Sequence, residues 1–481
     1  MKKGSGVLLH ISSLPGYGIG SLGKQAYQFV DRLNEAGFSY WQILPLNPTS
    51  PYCGNSPYSS NSLIAGNRYF IDLDKFVEYG WLEQSDLDMP VCDRVDFEAV
   101  DKHRNVVLKK AFDNATDDIK QQVNTWAKQN ENIHTYALYC AFLSKLGLPW
   151  NEWPKDLRDC KKQAVDEFAK ECINEIEQYL FEQYFFFNQF AELKAYANKK
   201  GIKIIGDMPV YASFDSADVW ANQQLFEVDG YKTNFGAGVP PDYFSETGQL
   251  WGNPVYKVAE HKKQGYKWML DRFKTAQTLC DVLRVDHFRG YEAFWAVPAG
   301  EKTAIKGKWV KSFGKELFDK ISQVANIEII AEDLGVITPE VEKLMKDLKY
   351  PGMNILEFAY NGGDDSKYLP ENHVENSVSY IGTHDNDTLV GWLDKVDGWE
   401  KKNMIEKTGY DGDYSIFFDE LFASKSNVVV VAMQDMLGLD SNYRMNVPSV
   451  PNGNWSYQMK QGEFDDKLVA QFAKLNKKYG R

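Results

Sequence analysis

VLRVDHFRG, residues 282–290, begins as an apolar, β-branched run and ends in Arg284, Asp286, His287 and Arg289. Side chains alternate along a strand, so Arg284 and Asp286 share a face. Seven other segments have the same form: GVLLHIS (6–12), FSYWQILPL (38–46), IKIIGDMPV (202–210), IEIIAEDLG (327–335), MNILEFA (353–359), VSYIGTHD (378–385) and NVVVVAMQD (427–435). Near-continuous apolar runs of this length fit strands buried on both faces of a parallel sheet. Helical patterns lie between them. Residues 24–36 carry apolar residues at helical spacing and stop at Gly37, and Thr338-Pro339 reads as the N-cap and first residue of a helix over 339–349. Eight strands alternating with helices predict an α/β fold, a (β/α)8 TIM barrel.

The spacing of the segments is uneven. One catalytic barrel is expected over 1–481, interrupted by a mostly helical subdomain at 75–195 and a loop-rich insertion at 207–270. The second insertion is rich in Gly, Pro, Asn and aromatics, and long loops in compact domains are commonly functional. The aromatic content of 14% fits either a large core or stacking surfaces for sugars or bases. The net charge of −13 argues against a nucleic-acid partner, which calls for a basic stripe. Six cysteines without CxxC spacing give neither a zinc site nor a dense disulfide framework, and are expected reduced. The only apolar run in MKKGSGVLLHISSLPG is too short for a secretory signal, and no stretch is long enough to span a membrane. A soluble cytoplasmic protein is expected.

In a barrel the active site lies at the C-terminal ends of the strands. An arginine beside Asp286 would keep it ionised, as a nucleophile requires, although a buried salt bridge closing the barrel reads equally well. Glu332 emerges from an apolar run, where lost solvation raises a carboxyl pKa toward that of a general acid. A helix-capping acid is the other reading of this segment, and Asp333 fits it better. Asp385 continues the face of Ile381 and Thr383, while Asn386 or Asp387 suits an Asx turn. Two carboxylates suffice to cleave a glycosidic bond, and a third can hold sugar hydroxyls. Asp286, His287, Glu332, His384 and Asp385 are also possible metal ligands, but there is no HExxH and no closely spaced histidine pair, so no metal is expected.

LRVDHFRG, IIAEDLG and IGTHDNDT, in that order, resemble the 4-α-glucanotransferase (amylomaltase, disproportionating enzyme) family of the α-amylase clan. SGVLLHISSLPGYGIGSLG (5–23), WQILPLNPT (41–49), NSPYSSNSLIAGNRYFIDL (55–73), IIGDMPVYASFDSADVW (204–220), GVPPDYFSETGQLWGNPVY (238–256) and GNW (453–455) extend the likeness nearly end to end. The resemblance implies Asp286 as nucleophile, Glu332 as acid/base and Asp385 as transition-state stabiliser. It implies Tyr58, Asp207, Gln249, Trp251, Arg284, His287, His384 and Asn446 as substrate-binding residues. Tyr58 would stack on the sugar at the cleavage point, and the histidines would contact hydroxyls. The implied reaction is a retaining transfer of an α-1,4-glucan segment from a maltooligosaccharide to the 4-hydroxyl of a glucan or glucose, without cofactor or metal, by a monomer or small homo-oligomer. Tyr243, Phe244 and Trp251, in the aromatic loop at 231–256, would keep water from the intermediate. Three positions depart from the family pattern and bear on acceptor preference and outer subsites: Arg68 where proline is usual, Ser449 where glycine is common, and Gln458 where arginine is expected.

Two other readings share these residues. An α-amylase-like hydrolase would use the same carboxylates, and a non-catalytic glucan-binding protein would be expected to lack one of them. Asp286→Asn is expected to lower turnover by orders of magnitude with unchanged melting. Near-normal transfer by that variant would remove Asp286 from the role of nucleophile.

Overall fold

Strands that are apolar on both faces need a partner on each edge and cover on each side, and a closed barrel meets both needs. The computed structural model describes residues 1–481 apart from 91–92, 231 and 242–244. Among the described residues there are twelve strands: β1 Gly4–Leu8, β2 Tyr40–Gln42, β3 Lys203–Met208, β4 Phe235–Val239, β5 Gln249–Pro254, β6 Val282–Val285, β7 Ala293–Pro298, β8 Lys308–Lys311, β9 Glu328–Ala331, β10 Gly352–Ile355, β11 Ser377–Tyr380 and β12 Val428–Ala432. Eight of them form one parallel sheet in the order β10-β11-β12-β1-β2-β3-β6-β9. The Ala331 N–H donates to the Pro351 carbonyl at 2.9 Å across the two sheet edges, so the barrel is nearly closed. Each barrel strand overlaps one of the eight segments singled out in the sequence. The strands are shorter than those segments, because the polar ends have already left the ladder.

The helix over Lys24–Glu35 ends as its sequence indicates, with Gly37 at φ +77°, and Thr338 precedes the helix Pro339–Leu348. Asp333 does not cap that helix. Its carboxylate accepts the Met353 N–H at 2.7 Å and pairs with Lys367 at 3.1 Å.

Between β2 and β3 lies a helical insertion that includes Phe97–Asn114, Asp117–Ala127, Glu131–Leu146 and the long helix Ile173–Lys199. The last presents Phe181, Phe185 and Phe190 to the core. It also reaches the loop that leads into the site. Gln183 accepts the Gly66 N–H and donates to the Gly66 carbonyl, both at 2.8 Å, and Gln189 does the same for Asp72 at 2.7 and 3.1 Å. Two buried amides thus stand in for a missing strand neighbour. A Cβ at Gly66 would come within 1.9 Å of the Phe186 ring, so the loop can approach the helix only at glycine.

Much of the region around the second insertion is not loop. β4 and β5 pair with β7 and β8 in an antiparallel sheet of order β5-β4-β7-β8. Glycines hide β4 in the sequence. At Gly238 a Cβ would lie 2.3 Å from the Gln249 carbonyl oxygen, a close approach that costs the strand its apolar side chain. Among the described residues no helix is long and apolar enough to cross a membrane.

Replacing Gln183 by Leu would leave the buried Gly66 N–H and C=O unpaired. The expected loss is about 2–4 kcal/mol in denaturant unfolding, from the desolvation of two groups. A loss below about 0.5 kcal/mol would show that water replaces the amide.

Candidate active site

The C-terminal rim of the barrel is built on one arginine. Arg284 lies on β6 in register with Asp207 of β3. Both are buried, and Arg284 Nη1 reaches the two Asp207 oxygens at 2.8 and 2.9 Å. The same nitrogen donates to Asp286 Oδ1 at 3.1 Å. Burial works against the guanidinium charge, but Asp207 and then Asp286 hold it well above the usual arginine range. Tyr58 donates its hydroxyl to Asp207 Oδ2 at 2.8 Å, which ties the 55–73 loop to this pair.

Asp286 is the first residue past β6, anchored by its N–H to the Met208 carbonyl at 3.1 Å. Glu332 is the first residue past the neighbouring β9, and its N–H bonds to the Val285 carbonyl at 3.2 Å. Its carboxyl accepts the His287 N–H at 2.7 Å on one oxygen and the Leu334 N–H at 2.7 Å on the other. The Glu332 carboxyl is therefore set by adjacent backbone N–H groups, and the Asp286 carboxyl by Arg284 and by the anchoring of its own backbone. Burial raises Glu332 to about 7, with Arg284 opposing and Asp286 adding to the rise. His287 takes φ +43°, an unfavourable conformation for a non-glycine residue that the Glu332 contact helps hold. Burial lowers its imidazole to about 4, so it is neutral near neutral pH.

Asp385 is placed differently from the sequence expectation. β11 ends at Tyr380, and residues 381–388 form a turn, so strand alternation does not aim this side chain. Contacts aim it instead. Asn446 donates to Asp385 Oδ1 at 2.6 Å, Arg444 holds the Asp385 carbonyl at 2.8 Å, and His384 Nε2 lies 3.5 Å from Oδ1. The His384 ring stacks on Tyr58 at 5.1 Å and 12°.

Asp207, Arg284, Asp286, Glu332, Tyr58, His287, His384, Asp385 and Asn446 are thus joined in one connected rim. Trp251 extends from β5 and meets His287 edge to face at 5.0 Å, with Gln249 bonded to the indole N–H at 3.2 Å. Tyr243 and Phe244 lie outside the described residues. Arg289 turns away, stacking 3.8 Å over Trp309 and donating to the Val336 carbonyl. Among the described residues no group of three or more His, Cys, Asp or Glu could hold a metal ion.

The structure adds residues to which the sequence assigned no role. Trp455 packs on Tyr58 and His384 at 5.8 and 5.9 Å. Arg444 holds the Asp385 backbone. His10, two residues past β1, lines a crevice with Leu44, Thr383, His384, Gln434 and Arg444. Its Nδ1 accepts the Leu44 N–H at 3.2 Å, so the proton sits on Nε2. The one signal for His10 was a polar group ending an apolar run. The unusual Ser449 adopts φ +66°, a conformation that favours glycine. Gln458 donates to the Leu14 carbonyl at 3.0 Å, and Arg68 pairs with Asp101 at 3.0 Å and Glu182 at 3.7 Å.

The family model described as 4-alpha-glucanotransferase matches residues 9–463. The chain belongs to this family. It is 42% identical to the 4-alpha-glucanotransferase of Aquifex aeolicus (strain VF5), over 97% of this chain and 98% of the relative. It is 41% identical to that of Thermus thermophilus over 95% of both. Its structure superposes on the amylomaltase from Streptococcus agalactiae, solved in complex with acarbose, with a TM-score of 0.96 at 35% identity, covering both chains fully. The glucanotransferase assignment agrees with the sequence reading, in fold and in activity, and sets aside the hydrolase and the non-catalytic binder.

A carboxyl titrating near pH 7 is expected in carbon-13 NMR of glutamate-labelled protein, absent in Glu332→Gln. Asp286→Asn removes a neighbouring negative charge and should lower that midpoint. An unchanged midpoint would mean that Asp286 does not act on Glu332.

Proposed function

We propose that this glucanotransferase disproportionates maltooligosaccharides by a retaining double displacement. Asp286 attacks the anomeric carbon while Glu332 gives its proton to the departing glucan oxygen. The result is a β-linked glycosyl ester on Asp286 and a released glucan. The 4-hydroxyl of a second glucan, or of glucose, then attacks that carbon. Glu332 takes the hydroxyl proton, and Asp286 leaves as a carboxylate. Two inversions restore the α-1,4 linkage.

The observation that carries this reading is the 2.7 Å bond from the His287 N–H to Glu332, which ties the proposed acid to the residue after the proposed nucleophile. Pairs held this way need no reorganisation as the bond breaks. The other residues follow from their positions. Arg284 supports the Asp286 carboxylate, and Asp207 supports Arg284 and Tyr58. Asp385, held by Asn446, takes sugar hydroxyls beside His384. Tyr58 offers a stacking face. Neutral His287 offers a ring nitrogen, and Gln249 and Trp251 cover the site from the antiparallel sheet. In this reading 1–481 is one catalytic unit, 75–195 buttresses the loop bearing Tyr58, and 207–270 covers the site. Acarbose is expected to bind in the same rim. The described cysteines, Cys53, Cys140, Cys160, Cys172 and Cys280, are all free thiols, which favours a reducing cytoplasm.

The test is incubation with maltotriose while products are resolved and reducing ends counted. Glucose plus a ladder of longer oligosaccharides, at constant reducing-end count, is the expected outcome. A rising count would mean that water, not a sugar, is the main acceptor.

A further inference from the structure

Behind the 382–389 turn lies a carboxyl group that the mechanism above does not use. Glu357 follows β10, and its N–H bonds to the Ile381 carbonyl of the neighbouring strand end at 3.1 Å. The side chain is buried. Oε2 accepts from Asn386 Nδ2 at 3.0 Å, and Oε1 has no partner among the described residues. A Cβ on Gly382 would lie 2.6 Å from that oxygen, so the turn makes room for the carboxyl only because residue 382 is glycine.

The contacts continue in one direction. Asn386 Oδ1 accepts both the N–H and the hydroxyl of Thr383 at 2.9 Å, which fixes the orientation of the amide. The Thr383 oxygen then accepts the Asp385 N–H at 3.3 Å. Each group gives its protons toward Glu357 and takes them from the side of Asp385. The chain therefore needs an acceptor at its inner end.

We propose that Glu357 is a positioning residue for glucan transfer: its carboxyl anchors Asn386, and through Thr383 it holds Asp385 in place against the sugar. This rests on the reading of Asp385 as a working carboxylate. The charged groups facing Glu357 are Asp435, which accepts the Leu389 N–H at 2.7 Å, and Asp387, which pairs with Lys395 and lies 3.6 Å from Arg444. Burial, then Asp435, pushes the Glu357 carboxyl well above its ordinary range, with Asn386 and Arg444 opposing. A neutral acid presents one carbonyl acceptor and one hydrogen-bearing arm. An amide does the same, so glutamine should replace it where an apolar side chain does not.

The test measures kcat and KM for maltotriose disproportionation in Glu357→Gln, Glu357→Met, Asp385→Asn and the Glu357→Met/Asp385→Asn double variant, each checked by melting. Glu357→Met is expected to lose about 100-fold in kcat with KM changed less than about threefold, as for a misplaced catalytic group. Glu357→Gln should stay within about fivefold of the parent, and in the Asp385→Asn background the methionine should cost less than about threefold. Full additivity with Asp385→Asn, near-normal turnover by Glu357→Met, or an equal fall in Glu357→Gln would overturn the proposal. If Glu357→Met does not fold, Asn386→Ala replaces it in the same cycle, with the same expected and overturning outcomes. A fully active Asp385→Asn would instead remove the reading of Asp385, which separates the two failures.

Discussion

The rim depends on a buried guanidinium shared by two carboxylates. Taking Arg284 and Asp207 out of water is costly, and only close geometry on both sides offsets the cost. Arg284 Nη1 makes all its contacts within 3.1 Å of Asp207 and Asp286. That fit requires β3 and β6 to be in one particular register, since a one-residue slip would turn Arg284 away from the interior. The ion pair and the barrel's strand order therefore specify each other. Removing either partner would leave a charge buried without compensation, a larger loss than the pair's net contribution to stability.

From this pair the site spreads by backbone contacts. Glu332 is held by N–H groups of residues 287 and 334, and Asp286 by its own N–H on β3. Backbone groups of adjacent strands move little relative to one another, so these two carboxyls are preorganised. The same dryness that strengthens their contacts raises Glu332 toward neutrality. One burial thus serves both placement and protonation.

Elements distant in sequence complete the rim. The loop bearing Tyr58 is held by Gln183 and Gln189 of the helical insertion, and the Asp385 turn by Asn446 and Arg444 near the chain's end. Gln183, Gln189 and Arg444 bond backbone groups and Asn446 bonds the Asp385 carboxylate, which satisfies polar atoms that no strand reaches.

The sequence by itself determined the eight-stranded barrel, because each strand is an uninterrupted apolar run with its own polar end, and that pattern is local. It also exposed Asp286 and Glu332, which lie one residue past their strands, where alternation still governs direction. The antiparallel sheet β5-β4-β7-β8 was not legible, in part because the glycines of β4 answer to close backbone approach rather than to a core face. Asp385 was singled out by strand alternation and by its motif, and alternation does not aim it. Five residues past β11, its direction comes from Asn446, Arg444 and Thr383. His10, Trp455 and Glu357 gained their places only in three dimensions. A side chain's partners across hundreds of residues are decided by packing, which no local pattern encodes.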